Sequence, residues 1–275
     1  MGQKGSNVIL GGQSVHFMKD YKLPYSEKAS DFVVNGQHLN GTLIFPKATK
    51  GKSPGVLFVH GLTGHKESSY QYANGLAKIG YVSFLFDMRG HGKSGGDLNI
   101  LNLNDFLEDV LSAYDHFTGI EFVDKDNISV VGSSMGAYLA ARLSSKRDVQ
   151  NLVIRAPADY PDGVTSKPTV EHGGENPAVM DWRKQPKNHN DSLALRAVHA
   201  LGGDVLIIES ERDDRVPRAT VENYANAVKD KTQLTCVVLK DAPHSIKDGK
   251  FKDEVERILV NWFSRGFSRS RLGNQ

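Results

Sequence analysis

From Asp31 onward, short apolar runs alternate with longer stretches whose apolar residues recur at helical spacing. The runs fall at 55–60, 82–87, 128–132, 152–156, 205–210 and 235–239. The helix-like stretches at 67–79, 104–117, 134–145, 219–228 and 251–263 lie among them. Strands that are apolar at every position, rather than at every second one, are those buried on both faces. The pattern therefore predicts a doubly wound, mostly parallel α/β sheet with helices on both sides. Ahead of it, Asp31–Phe45 reads as a β-hairpin at the sheet edge, because Asn35-Gly36 supplies the two positive φ angles of a tight turn.

One stretch breaks the rhythm. Residues 157–204 are polar, carry Pro161, Pro168, Pro177 and Pro186, and regain apolar periodicity only at 192–201. A connection of that length inside a compact core is expected to be functional, so it is read as a small cap inserted into a single domain spanning 1–275. Tyr160 and Trp182 are its only aromatic residues. They are candidates either to wall a substrate group or to anchor the cap.

Composition narrows the field. The chain has 275 residues, 39% hydrophobic and 24% charged, and a mean hydropathy of −0.40, the profile of a folded globule. No apolar run approaches the ~18 residues of a membrane span. Thirty-four Lys and Arg against 32 Asp and Glu leave a net charge of +2, which gives no reason to expect nucleic acid or a membrane as partner. With Cys236 as the single cysteine, no intrachain disulfide and no cysteine-based zinc cluster can form. A reducing cytoplasm is the expected setting. No signal peptide is read at the N-terminus. Gly2 and Ser6 fit the loose myristoylation pattern, but without a polybasic patch or second acylatable cysteine nearby, so no lipid anchor is expected.

The chemistry concentrates in three places. Gly132-Ser133-Ser134-Met135-Gly136 follows an apolar run and opens a helical stretch. A serine on such a strand-to-helix turn projects its hydroxyl above the sheet, beside the N–H groups that begin the helix. A serine hydroxyl is a weak nucleophile and needs a base that is itself oriented. Glu211 to Pro217 follows the fifth run and contains the adjacent acids Asp213 and Asp214; Asp241 to Ser245 follows the sixth and contains His244. Both lie at the C-terminal ends of strands, where ligands bind in open parallel sheets. The acid remains open between Asp213 and Asp214, with spacing to Val216-Pro217 favouring Asp213. Gly92-Lys93-Ser94 looks like the end of a phosphate loop, but that motif needs glycine where Asp87 stands. Cys236 lies inside an apolar run and reads as a small buried hydrophobe. No sequence pattern points to a metal ion, and no cofactor is expected.

From about Asp31 the chain resembles the α/β-hydrolase superfamily. The resemblance rests on His60-Gly61-Leu62-Thr63-Gly64, on Asp87 to Gly95, on the Ser134 turn and on Asp213 to Pro217, in the family's order. Within the superfamily it is most similar to small serine carboxylesterases with a short cap, among them feruloyl and cinnamoyl esterases. The resemblance implies a Ser134–His244–Asp213 triad acting through an acyl-enzyme, with an oxyanion hole formed by the backbone N–H groups of Leu62 and Met135. It implies a small-molecule ester as substrate. It leaves a peptidase, an acyltransferase or thioesterase, and a non-catalytic ligand-binding protein as alternatives. The lead-in before Asp31 is too short for the large N-terminal domain of prolyl-oligopeptidase-type peptidases, which favours the esterase expectation.

Overall fold

The computed structural model describes residues 23–47, 51–172 and 176–272, with side chains up to residue 265. Gly2 and Ser6 lie outside the described residues. The strands are β1 (Tyr25–Ala29), β2 (Phe32–Val34), β3 (Gln37–Leu39), β4 (Gly41–Pro46), β5 (Ser53–Val59), β6 (Val82–Phe86), β7 (Val123–Ser133), β8 (Asn151–Arg155), β9 (Asp204–Arg212) and β10 (Leu234–Pro243). The helices are α1 (Tyr70–Ala77), α2 (Leu103–Thr118), α3 (Met135–Ser144), α4 (Thr169–His172), α5 (Pro177–Arg183), α6 (Leu193–Ala200), α7 (Arg218–Ala227) and α8 (Gly249–Leu272).

Eight strands form one sheet in the order β1-β4-β6-β5-β7-β8-β9-β10. Strands β5 to β10 run parallel, and β4 joins β6 antiparallel at one edge, followed by β1. This is the doubly wound sheet that the pattern predicts. The expected N-terminal hairpin is present, and it divides into two parts. Asn35 (φ 49°) and Gly36 (φ 75°) turn β2 into β3 as a separate two-stranded sheet, while the edge of the main sheet is the β1–β4 pair around it. The two positive φ values are those of a type I′ turn.

Alternate side chains explain the continuous apolar runs. Leu57 and Val59 of β5, with Val205 and Ile207 of β9, face the core beneath α2, α3, α6 and α7. Val56 and Phe58, with Leu206 and Ile208, face the opposite core beneath α1 and α8. Each fully buried aliphatic side chain of this kind stabilises the fold by about 1.5–3 kcal/mol. Helix α2 starts where Asn102 accepts the N–H groups of Asn104 and Asp105 while Asp105 accepts that of Asn102, a reciprocal cap. Cys236 departs from its expectation. It stands on the exposed side of β10, where the edge strand alternates between buried and exposed positions.

Residues 157–204 contain two 3₁₀ or short helical turns, then α5 and α6, around unusually polar buried side chains: Asp159, Thr169, Arg183 and Ser192. Arg183 is fully buried, with its guanidinium 4.7 Å from the Tyr160 ring centre and its Nε donating to the Asp159 carbonyl at 2.9 Å.

Candidate active site

Ser134 stands between the end of β7 and the start of α3 with φ 55° and ψ −120°. This left-handed conformation is costly for a residue with a side chain and is held by its surroundings. A Cβ on Gly132 would lie 2.3 Å from the Gly136 carbonyl oxygen, and one on Gly136 would lie 2.2 Å from that of Val59. Both contacts are closer than atoms tolerate, so the two flanking positions require glycine. The turn is pinned from the next strand by the Ser134 N–H donating to the Arg155 carbonyl at 3.0 Å, and its carbonyl accepts the Ala158 N–H at 3.2 Å.

The structure brings His244 and Asp213 onto this serine. Ser134 Oγ lies 3.0 Å from His244 Nε2. His244 Nδ1 lies 2.8 Å from both carboxylate oxygens of Asp213. The side chains of His244 and Asp213 are 8% and 6% exposed, so the chain of hydrogen bonds is shielded from competing water. Asp213 Oδ1 also accepts the N–H groups of Arg215 and Val216 at 2.9 and 2.8 Å, which orients the carboxylate. Asp214 points into solvent from the same loop. These contacts leave Ser134 Oγ–H to donate to Nε2 and Nδ1–H to donate to Asp213, the arrangement of a base held in one tautomer.

The His60–Gly64 loop passes beside the serine. A Cβ on Gly61 would lie 3.2 Å from Ser134 Cβ. His60 Nε2 accepts the Met88 N–H at 3.0 Å, so its proton sits on Nδ1, which donates to the Gly61 carbonyl at 2.8 Å. That carbonyl also accepts the Gly64 N–H at 2.9 Å. The Gly61 C=O and the Leu62 N–H belong to one planar peptide, so two bonds on the oxygen fix the direction of the N–H. Met135 occupies the first position of α3, where a backbone N–H has no acceptor within the helix.

A second histidine braces the same loop. His91 Nε2 accepts the Thr63 N–H at 3.1 Å and its Nδ1 donates to the Arg89 carbonyl at 2.9 Å. The two imidazoles pack with ring centres 4.9 Å apart. Burial, reinforced by His91, lowers the pKa of His60 to about 4, and burial also lowers that of His91. Both rings are therefore neutral brackets. Asp87, fully buried, accepts the N–H groups of Lys66 and Lys93 at 2.7 and 3.0 Å. The Gly92-Lys93-Ser94 segment thus wraps a carboxylate, and a Cβ on Gly92 would lie 2.2 Å from Asp87 Oδ2.

The other candidate contacts, Tyr160 and Trp182, lie in the 157–204 segment. Tyr160 is fully buried, edge-on to Tyr138 with ring centres 5.0 Å apart, and joins residues 157–204 to α3. Trp182 is half-buried on α5 with the Lys187 ammonium 4.1 Å from its ring centre. His65 is exposed and bonded to Glu67 at 2.8 Å. Arg155 meets Ser133, Ser210 and the His244 carbonyl. Only its odd polarity in an apolar run signals this in the sequence. No group of three or more potential ligands for a metal ion occurs among the described residues.

Residues 52–188 match the model of a hydrolase family described as serine aminopeptidase, S33. Among curated proteins, the chain is 23% identical to bovine palmitoyl-protein thioesterase ABHD10, mitochondrial, over 74% of its own length and 70% of that protein's. It is 28% identical to the monoacylglycerol lipase of Mycolicibacterium smegmatis over 75% of its length and 74% of the lipase. Among solved structures it is similar to Est1E from Butyrivibrio proteoclasticus, described with bound ferulic acid. The TM-score is 0.67 at 20% identity, covering 86% of this chain and 99% of that one.

Proposed function

The chain is an α/β-hydrolase by fold, and from that premise we propose that it is a serine hydrolase acting on carboxylic esters through an acyl-enzyme. The observation that carries this reading is the continuous hydrogen-bonded line from Ser134 Oγ through His244 to Asp213. Ser134 Oγ attacks the acyl carbonyl as its proton passes to His244 Nε2. The carbonyl oxygen takes up the negative charge and accepts from the N–H groups of Leu62 and Met135. Loss of one such donor costs about 2.7–4 kcal/mol of transition-state stabilisation. Collapse breaks the ester C–O bond, and His244 returns the proton to the departing alkoxide. Water then repeats the sequence on the acyl-enzyme and releases the acid. Asp213 holds the Nδ1 proton throughout and stabilises the imidazolium. Residues 157–204 form the cap over the acyl site in this reading, with Trp182 its aromatic contact.

A thioester is the second reading, favoured by the similarity to a protein named as a thioesterase. The same attack would expel a thiolate, which needs less help from His244 as an acid. The family description favours testing peptides as well. The purified protein is assayed on p-nitrophenyl acyl esters, methyl hydroxycinnamates, acyl thioesters and aminoacyl anilides, with Ser134→Ala alongside. The expected result is ester turnover that falls by about 10⁶ in kcat in the variant. Turnover confined to thioesters or anilides would replace the substrate class, and turnover that survives in Ser134→Ala would remove the mechanism.

A further inference from the structure

Arg155 closes β8, a strand that is otherwise apolar from Leu152 to Ile154, and it is flanked in the sheet by Ser133 of β7 and Ile208 of β9. Its main chain and side chain hold different parts of the site. The carbonyl accepts the N–H of Ser134 at 3.0 Å. The guanidinium clasps Ser133 Oγ with Nε and Nη2 at 3.1 and 2.7 Å, and its Nη1 donates to Ser210 Oγ at 3.4 Å and to the His244 carbonyl at 3.0 Å. One residue thus joins the Ser134 turn to the His244 loop, 110 positions apart in sequence.

His244 needs such a tie. It follows β10, an edge strand that pairs only with β9 among the described residues. The pairing shifts register after Leu239, resumes at Pro243 with Arg212 and ends there, so the ladder holds the residue before His244 but not His244 itself. A cation here is also costly to desolvate, and an apolar side chain would fill the space, so its presence calls for a use of the charge or of the fork.

We propose that Arg155 is a positioning residue that fixes His244 against Ser134. The inference rests on the reading of Ser134, His244 and Asp213 as a triad. The charged and titratable groups near the guanidinium are Tyr72 from α1, beyond which stands Glu256 of α8, and Asp213 from the loop after β9.

The test compares wild type, Arg155→Lys and Arg155→Met on a p-nitrophenyl ester. For Arg155→Met, kcat is expected to fall about tenfold or more through misplacement of the base, with KM changed less than about threefold. Arg155→Lys keeps a donor but not the fork and should recover only part of kcat. Both variants folded with kcat unchanged would overturn the proposal, as would a loss that appears in KM alone. If Arg155→Met does not fold, Ser133→Ala with Ser210→Ala removes the anchors of the fork. A fall in kcat at constant KM then supports the proposal, and wild-type kinetics overturn it. If the wild-type protein turns over no acyl substrate, the downfield NMR signal of the His244 Nδ1 proton, recorded in wild type and Arg155→Met, reports the placement of the ring against Asp213 without any substrate. A signal lost or shifted in the variant supports the proposal, and coincident spectra overturn it.

Discussion

Asp213 and Asp214 share a loop, a charge and a side-chain length, and the backbone alone separates their roles. The Arg215 and Val216 N–H groups turn back onto Asp213 Oδ1, which points that carboxylate inward to His244 and leaves Asp214 in solvent. An amide at position 213 would keep the shape but offer an N–H where Nδ1 needs an acceptor, so the imidazole would settle in the wrong tautomer. Asp213→Asn is therefore expected to lower kcat by about 10⁴ with the fold intact, as the same change does in the serine-protease template. Asp214→Asn should stay within about twofold, since an exposed carboxylate is screened. Steady-state kinetics on one ester decide it. A large loss at 214 with none at 213 would show that the loop is arranged differently when the enzyme works.

The element on which most of the site depends is the His60–Gly64 loop, and its geometry is sensitive to pH. His60 can accept the Met88 N–H only while Nε2 is unprotonated. Its pKa is lowered to about 4 by burial and by His91, from the ordinary value of 6.5. Between these values the unfolded chain binds the proton and the folded chain does not, so stability falls as pH falls from about 6.5 toward 4. At pH 4.5 the lost contribution is on the order of 2–3 kcal/mol relative to pH 7.5. His60→Gln, which cannot titrate, should be the less stable protein at neutral pH. Its deficit against wild type should shrink at pH 4.5 in urea unfolding, and a constant deficit would mean that the ring binds its proton alike in the folded and unfolded chain. The sequence shows this loop as a motif but not its chemistry, because which nitrogen carries the proton depends on Met88 and Gly61 being brought to opposite sides of the ring. The same limit hides β1. Its residues are half-exposed or exposed, so Tyr25–Ala29 carries no apolar period and reads as lead-in, although it pairs with β4 along its whole length. Inner strands are legible because burial on both faces writes itself into composition; the edge strand β1 is not, and β10 is legible from its apolar run at 235–239 but not as an edge, so Cys236 looks buried.

At the scale of the whole molecule, the parallel sheet gathers the ends of β7, β8, β9 and β10 at one place, and the polar segment 157–204 is laced to both sides of it. Ala158 donates to Ser134. From α7, just beyond the Asp213 loop, Tyr224 Oη donates to the Ala158 carbonyl at 2.9 Å and Thr220 Oγ1 donates to the Arg183 carbonyl at 2.9 Å. The sequence marks this segment only as an interruption, since a core built on Arg183, Asp159 and Ser192 has the hydropathy of a loop. Tyr224→Phe and Thr220→Val each remove one buried donor and strand a carbonyl, at about 1–3 kcal/mol apiece, so the double variant should melt several degrees lower. Neither change touches Ser134, His244 or Asp213. If the segment is the cap over the acyl site, loosening it should raise KM for long acyl esters more than for acetate and leave kcat on acetate within about twofold. Thermal melts and the two KM values test this together. A lower melting temperature with an unchanged ratio of KM values would make 157–204 a packing layer, and the acyl chain would then have to be recognised along the rim formed by the His60 and Asp213 loops.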